Sequence, residues 1–459
     1  MIVLNSVTHD ARVLKESKTL VQNGYNVTIV GVSDKKEDIK INDAHITYVQ
    51  LARPNIMKLA QNKKNILLHL FFGASYIITL FFISLLINPL IALYTLILSF
   101  PKTSVFLFLL LAHTYFAFKF NKHKIIELFK GVLLCANEIS RIYLSRNIIF
   151  QKIKAINPDI IHAHDLNALI IAKYCKDRHP SVLVYDSHEI FCEVSSLNKI
   201  RKRIFSILEE YYSKNVDYFI TINVSIASYL NFKYKKLPKA TIIMNASVLP
   251  DKSIENYNLI RETININYTK KILLYQGGYT GSRGLKQLIN MAYFLDDNWV
   301  LVFMGDGKLE ESLKTISITK GILNKKVFFI PKVPHDTLIK WTSSATVGII
   351  PYENTCLNHM YCTPNKLWEY PIANIPFFAS DLKELRKVVS TGVGWIIKDL
   401  NNPIELANQI CSLTENEINT AKIKCHEFVQ KSNWQKEELK LLDLYKRASK
   451  NINSLTSAI

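Results

Sequence analysis

The chain has 459 residues, enough for two ordinary domains with sizeable cores. Lys and Arg outnumber Asp and Glu by 57 to 38, and the net charge of +19 suits an anionic partner such as a lipid surface or a phosphorylated substrate. Nucleic acid is the weaker option, because the sequence has no zinc-finger spacing, RNA-recognition signature or long Arg-rich tract. The seven cysteines include no C-x-x-C pair, so reduced thiols in a cytosolic compartment are expected. No basic region followed by an apolar core and a cleavage site opens the chain, so no signal peptide is expected.

Residues Met1–Asn5 are apolar and β-like. Asp10 to Glu16 opens a helix that ends at Asn23-Gly24, where glycine can take the left-handed conformation that stops helices. Tyr25–Gly31 is the next strand, and this β–loop–α–β start fits an open parallel sheet. Asp10 reads locally as a helix cap and Arg12 as a surface residue. From Ile66 to Phe118 the only formally charged residue is Lys102. Ile66–Ile87 matches the roughly 20 apolar residues that one helical crossing of a bilayer needs. Asn88-Pro89 breaks that pattern before Leu90–Phe118. Lys58, Lys63 and Lys64 flank one end and Lys119, Lys122 and Lys124 the other, which keeps both ends cytoplasmic. The expectation is an apolar helical hairpin over residues 66–118, spanning or embedded, that holds the protein on the cytoplasmic face of an anionic cell membrane. A hairpin buried in protein or lying in the interface is the alternative.

Asp159–His164 and Val182–Ser187 read as strands with polar residues at their carboxyl ends, where open α/β sheets bind ligands. A metal at His162, His164 and His188 is disfavoured, because no cysteine cluster joins them, and His162 reads as a structural histidine. Strands Asp217–Asn223 and Thr241–Ala246 close this half, and the polar stretch 251–270 is the expected linker. Lys271–Gln276 then runs into Gly277-Gly278, with Arg283 in the same loop. Glycines let a backbone approach a phosphate, and Arg283 offers a fork of donors for it. Trp299–Met304 ends in Gly305-Asp306-Gly307, and Thr346–Pro351 and Ile375–Ser380 bracket Thr363-Pro364-Asn365-Lys366-Leu367-Trp368-Glu369-Tyr370. The composition of that stretch predicts a helix capped by Thr363 and starting at Pro364, at the carboxyl edge of a parallel sheet. Such a place suits an anionic ligand, although an ordinary capped core helix has the same pattern.

The run Asn354–Asp381 resembles the donor-site signature of family 4 glycosyltransferases of the GT-B fold, in the bacterial branch that reads P-N-K-x-x-E-Y and makes surface polysaccharides. The likeness takes in the opening from Asp10 to Glu16, Ile161 to Asp165, Tyr185 to Glu189 and the two glycine loops, and covers most of the chain apart from 66–118. It implies two doubly wound Rossmann-like domains facing a cleft. Residues 1–250 would bind acceptor, 271–432 would bind the nucleotide sugar, and a helix within 433–459 would cross back. It implies donor contacts at Gly277, Gly278, Arg283, Gly305, Asp306, Tyr361, Thr363, Asn365, Lys366 and Glu369, with His188, Arg283, Lys366 and Glu369 catalytic. Asp10, Arg12, His164 and Asp165 would face the acceptor. Two positions depart from the family pattern. Gly278 stands where a basic residue is usual, and Tyr361 stands at the first place of Glu-x7-Glu, with Glu369 at the second. The implied activity is retaining transfer from a nucleotide sugar to a lipid-linked or membrane-proximal acceptor, with no cofactor and no obligatory metal. A GT-B nucleotide-sugar epimerase and a non-catalytic membrane-anchored partner are the alternatives.

Overall fold

The computed structural model describes residues 1–8, 10–33, 38–41, 43–50, 134–250 and 257–456. In the first half a sheet carries the strands β1 (Thr28–Val32), β2 (Ile39–Ile41), β3 (Ala44–Val49), β4 (Ile160–His164), β5 (Val182–Ser187), β6 (Tyr218–Thr221) and β7 (Ala240–Ile242). Its two parts run β1-β3-β2 and β4-β5-β6-β7. The opening residues join them. Ile2 pairs in parallel with Val30 on one side and with Ala163 on the other. Its N–H donates to the His162 carbonyl at 2.7 Å, and its carbonyl accepts from the His164 N–H at 3.0 Å. The short opening segment around Ile2 thus serves as the middle of the sheet. All pairs in this half are parallel except β2 with β3 at the edge.

The second half is a six-stranded parallel sheet built from β8 (Lys271–Gln276), β9 (Trp299–Met304), β10 (Val327–Ile330), β11 (Val347–Ile350), β12 (Phe377–Ala379) and β13 (Gly394–Ile396). Their spatial order is β10-β9-β8-β11-β12-β13. Every residue of β9, β11 and β12 is buried, because helices cover both faces of the sheet. The doubly wound α/β architecture expected from β–α alternation is present in both halves. The packing of the second half starts earlier than residue 271, because helix Leu259–Ile264 places Ile260 in its core and Ala246 lies in the same cluster.

The helical hairpin expected over residues 66–118 lies outside the described residues. Among the described residues no helix is long and apolar enough to cross a membrane, which corrects the expectation of a protein held in a membrane by helical spans. Helix Trp434–Thr456 has the length, at 23 residues, but Lys436, Glu437, Glu438 and Lys440 fall within its first two turns. It is amphipathic, and its apolar face packs back on the first half. Trp434, Leu441, Leu444 and Tyr445 form one cluster with Leu20, Val184, Ile220 and Ile243. The indole N–H of Trp434 donates to the Thr19 hydroxyl at 2.9 Å. Removing a buried aromatic from such a joint leaves a cavity and takes away one of the two bonds of the Thr19 hydroxyl, which also donates to Glu438 at 2.9 Å. We expect Trp434→Ala to cost about 3–5 kcal/mol, read as a lower denaturant midpoint in equilibrium unfolding.

Candidate active site

The two halves enclose a cleft of about 1120 Å³. It lies over the carboxyl ends of β8 and β11, the neighbours at which the strand order of the second sheet reverses, which is where open α/β sheets bind ligands. Its floor is backbone. Gly277 and Gly305 both have positive φ, at 117° and 153°. A Cβ on Gly305 would stand 2.1 Å from the Gly277 carbonyl oxygen. The two loops therefore meet main chain to main chain, and only glycine allows it. Gly278 and Asp306 line the cleft beside them. A Cβ on Gly278 would meet only the Thr280 methyl, at an ordinary 3.9 Å, so packing alone does not require glycine there.

Two cations stand at this end. The Lys366 ammonium reaches back over β8 until a Cβ on Gly277 would lie 3.0 Å from it. It sits above the rings of Tyr275 and Tyr352 and donates to the Tyr352 hydroxyl at 3.2 Å. The Arg283 guanidinium lies 3.9 Å from the centre of the Tyr352 ring. Glu369 is one helical turn beyond Lys366 and faces the same cleft. Gln276 donates to its Oε2 at 2.7 Å and is itself held by the Thr342 hydroxyl at 2.8 Å. This chain of bonds sets the direction of one carboxylate oxygen. Asn365 also lines the cleft, as do Thr363 and Pro364.

The helix begins later than its sequence predicts. It spans Lys366–Ile372 with Asn365 before it, and no side chain caps it. Thr363 turns toward the first half, where its hydroxyl lies 3.5 Å from the Asn223 side-chain nitrogen, so its partner is across the interface rather than in its own helix. Seven residues with Pro371 among them make a weak dipole, so the positive charge here comes mainly from Arg283 and Lys366. Tyr361 corrects a second expectation. It is not among the residues lining the cleft. Its carbonyl accepts from Asn223 at 2.7 Å, and its ring packs on the first core beneath the Lys383 ammonium.

Across the cleft stands His188, behind which the first half keeps a buried ionic hub. Asp186 accepts from Arg12 Nε at 2.8 Å and Nη2 at 3.1 Å, and its Oδ2 lies 3.3 Å from His188 Nε2. Arg12 also pairs with Glu16 at 3.0 Å and donates to the Ile243 carbonyl and the Asn245 side chain. Its guanidinium is tied into this hub, which corrects the surface reading of Arg12, and the residue also lines the smaller hollow beside the cleft. His164 likewise does not face the cleft. It is buried, stacked on His162 at 4.3 Å, with Nδ1 3.1 Å from His188 Nε2. Asp165, with φ of 62°, accepts from the His188 backbone N–H at 3.0 Å. His164 and Asp165 thus support His188 from behind. Asp10 caps helix Ala11–Gln22 and lines a smaller hollow of about 330 Å³ beside the cleft.

Burial works against charge on His188, but Asp165 and Asp186 outweigh it and raise its pKa to about 9. Burial pushes the Asp186 carboxyl up, and Arg12 with His188 holds it well below the usual range. Burial lowers His162 and His164, which stay neutral, and pushes Glu16 up to about 8. Glu16, His162, His164 and Asp186 have the spacing of a metal cluster, but Arg12 already meets the Asp186 charge, and burial keeps the Glu16 carboxyl protonated up to about pH 8. Lys15, Gln276 and Tyr352 line the cleft without any sequence signal of their own. Burial and Arg12 lower Lys15 to about 8.

Residues 256–433 match the family model described as glycosyl transferases group 1. The protein is a glycosyltransferase. No curated protein matches the chain of this glycosyltransferase. Among solved structures it resembles a sucrose-phosphate synthase from Thermosynechococcus elongatus at 15% identity, over 95% of this chain and 92% of that one, with a TM-score of 0.63. A glycosyltransferase from Rickettsia africae is similar at 13% identity over 98% of both chains, with a TM-score of 0.59. HepE from Anabaena, solved in complex with UDP-glucose, is similar at 12% identity over 66% of this chain and 82% of that one, with a TM-score of 0.55. At these identities the likeness is one of fold, and the glycosyltransferase has a GT-B-like α/β fold with parallel sheets.

The charge on His188 is testable without knowing the substrate. Imidazole NMR should place its titration near pH 9, and Asp165→Asn should move it back toward 6.5. The raised value stabilises the fold fully below pH 6.5, and that contribution is lost as pH rises through about 9. Thermal stability of the wild type should therefore fall more across that window than that of His188→Gln. A wild-type titration at the ordinary value would refute the charge assignment.

Proposed function

We propose that the enzyme transfers a sugar from a nucleotide-sugar donor, with retention of configuration, to a lipid-linked or membrane-proximal glycan in cell-surface polysaccharide synthesis. The observation that carries the donor half is the grouping of Arg283, Lys366 and Glu369 on one wall of the cleft, with His188 opposite. Arg283 and Lys366 are aimed where a nucleotide diphosphate gathers charge as it leaves. Glu369, oriented by Gln276, accepts from the ribose hydroxyls. The complexes of HepE with UDP and with UDP-glucose support a nucleotide-sugar donor here. The acceptor half rests on the resemblance to the surface-polysaccharide branch, and the net charge of +19 suits an acceptor presented at an anionic surface.

Transfer then runs on the front face of the sugar. The bond from the anomeric carbon to the diphosphate oxygen breaks, and the acceptor oxygen bonds to that carbon from the same side. The acceptor proton passes to the departing phosphate oxygen. In this reading Glu369 is given to the ribose, and no carboxylate is assigned as a nucleophile. The two cations carry the leaving charge, so the reading needs no obligatory metal. Asp10 and the hollow beside it hold the acceptor.

The test is a screen of labelled nucleotide sugars with membrane extract as the acceptor source, read by released nucleotide and labelled product. Glu369→Ala and Arg283→Ala should each lower turnover by about 10²–10³ while far-UV circular dichroism stays that of the wild type. Normal transfer by both variants would refute the donor site. Conversion of the sugar with no acceptor present would replace transfer with epimerisation.

A further inference from the structure

Both cations of the cleft rest on one aromatic ring. Tyr352 is 4% exposed and belongs to the second core. One face carries the Arg283 guanidinium at 3.9 Å. The Lys366 ammonium stands 5.4 Å from the same ring and donates to its hydroxyl. Left to themselves, two like charges on long side chains would move apart into water. A tyrosine opposes that twice, because its ring face attracts cations and its oxygen accepts from an ammonium.

The surrounding backbone keeps this arrangement in place. The loop that carries Arg283 is fastened directly to the segment that carries Tyr352. The Glu353 N–H donates to the Ser282 carbonyl at 3.2 Å. Gly284, with φ of 67°, presses so closely on Pro351 that a Cβ there would stand 2.1 Å from the Pro351 carbonyl oxygen. Burial pushes the Tyr352 phenol upward while Arg283 pulls it down, and the net effect is upward, so the hydroxyl stays neutral and able to accept. Arg283 comes from the loop after β8, Tyr352 from the end of β11 and Lys366 from the following helix. The ring thus joins three separate segments, its own and those of the two cations.

We propose that Tyr352 is the positioning residue that holds Arg283 and Lys366 together at the diphosphate end of the cleft. The proposal rests on the nucleotide-sugar reading of the cleft and gives Tyr352 no contact with substrate of its own. Its work is done before the ligand arrives, by holding two charges where neither would stay alone.

Inorganic pyrophosphate is the probe, titrated calorimetrically into the full chain. Tyr352→Phe keeps the ring and loses the bond to Lys366, so binding should weaken about threefold. Tyr352→Leu loses both supports and should weaken it about thirtyfold. The decisive readout is coupling. In an Arg283→Ala background the Leu and Phe variants should bind within about twofold of each other, because the ring no longer has its guanidinium. In a Lys366→Met background Tyr352→Phe should have no effect on pyrophosphate. A merely structural tyrosine would leave both differences in place, and that result overturns the proposal. If the Leu variant misfolds, the Phe variant against Lys366→Met still decides. Loss of binding in Arg283→Ala with wild-type binding in Tyr352→Leu would refute the role of Tyr352 and leave the donor site standing. Equal binding by the wild type and Arg283→Ala would refute the donor site and the proposal with it.

Discussion

At the end of β8 the chain has a backbone where a side chain would ordinarily be, and the rest of the cleft is arranged around that gap. Gly277 lies against Gly305 on one side and under the Lys366 ammonium on the other. A methyl group at either glycine would separate the loops after β8 and β9 or push the ammonium away. With the space open, an ammonium carried by a helix after β11 reaches across to the end of β8. Two neighbouring strands of a parallel sheet thus bring charge and bare backbone to the same point. The reversal of strand order between them supplies the crevice, and glycine makes its floor flat.

The opposing wall works differently. Its charges are mostly satisfied by one another inside the first half. Arg12 binds Asp186 with two nitrogens and Glu16 with one of them, while the neutral pair His162 and His164 fills the space beside them. The terminal helix closes this hub from outside, with the Tyr445 hydroxyl 2.9 Å from His162 Nδ1. From this hub His188 reaches the cleft as an imidazolium, charged because Asp165 and Asp186 flank it, with Lys15 and Glu189 on the same wall. A fixed cation of this kind does not serve as a proton acceptor near neutral pH. It adds positive potential opposite Arg283 and Lys366 and leaves proton transfer to the leaving group.

Amide side chains join the two walls. Asn223 reaches the Tyr361 carbonyl, and Asn358 accepts from the Ile190 N–H while donating to Glu189. Ser225 donates to Glu384 at 2.5 Å. These bonds pass between groups more than a hundred residues apart, and they explain why Thr363 and Tyr361 turn away from the roles their neighbours suggest. Each is recruited by the interface. The resemblance implies a donor contact for Tyr361, but its ring packs against the first core.

Much of the architecture was readable in advance because it is local. Alternating apolar strands and amphipathic helices signal themselves within ten or fifteen residues, and glycine pairs after strands mark loops that lie close to other backbone. The resemblance around Thr363 to Tyr370 placed Arg283, Lys366 and Glu369 in one cleft, and the structure brings these three together. Other assignments depended on partners far away in the chain. Nothing near Arg12 announces Asp186, 174 positions later, which ties its guanidinium into a buried hub. Nothing near Tyr352 or Gln276 shows that one carries two cations and the other steers a carboxylate. The Thr363 hydroxyl, read from the sequence as a helix cap, is likewise met from outside, by Asn223 across the interface. The sequence by itself determined the elements and the chemistry available at their ends. The tertiary structure alone decided which groups stay free to meet a ligand, because burial and pairing belong to neighbours in space rather than in sequence.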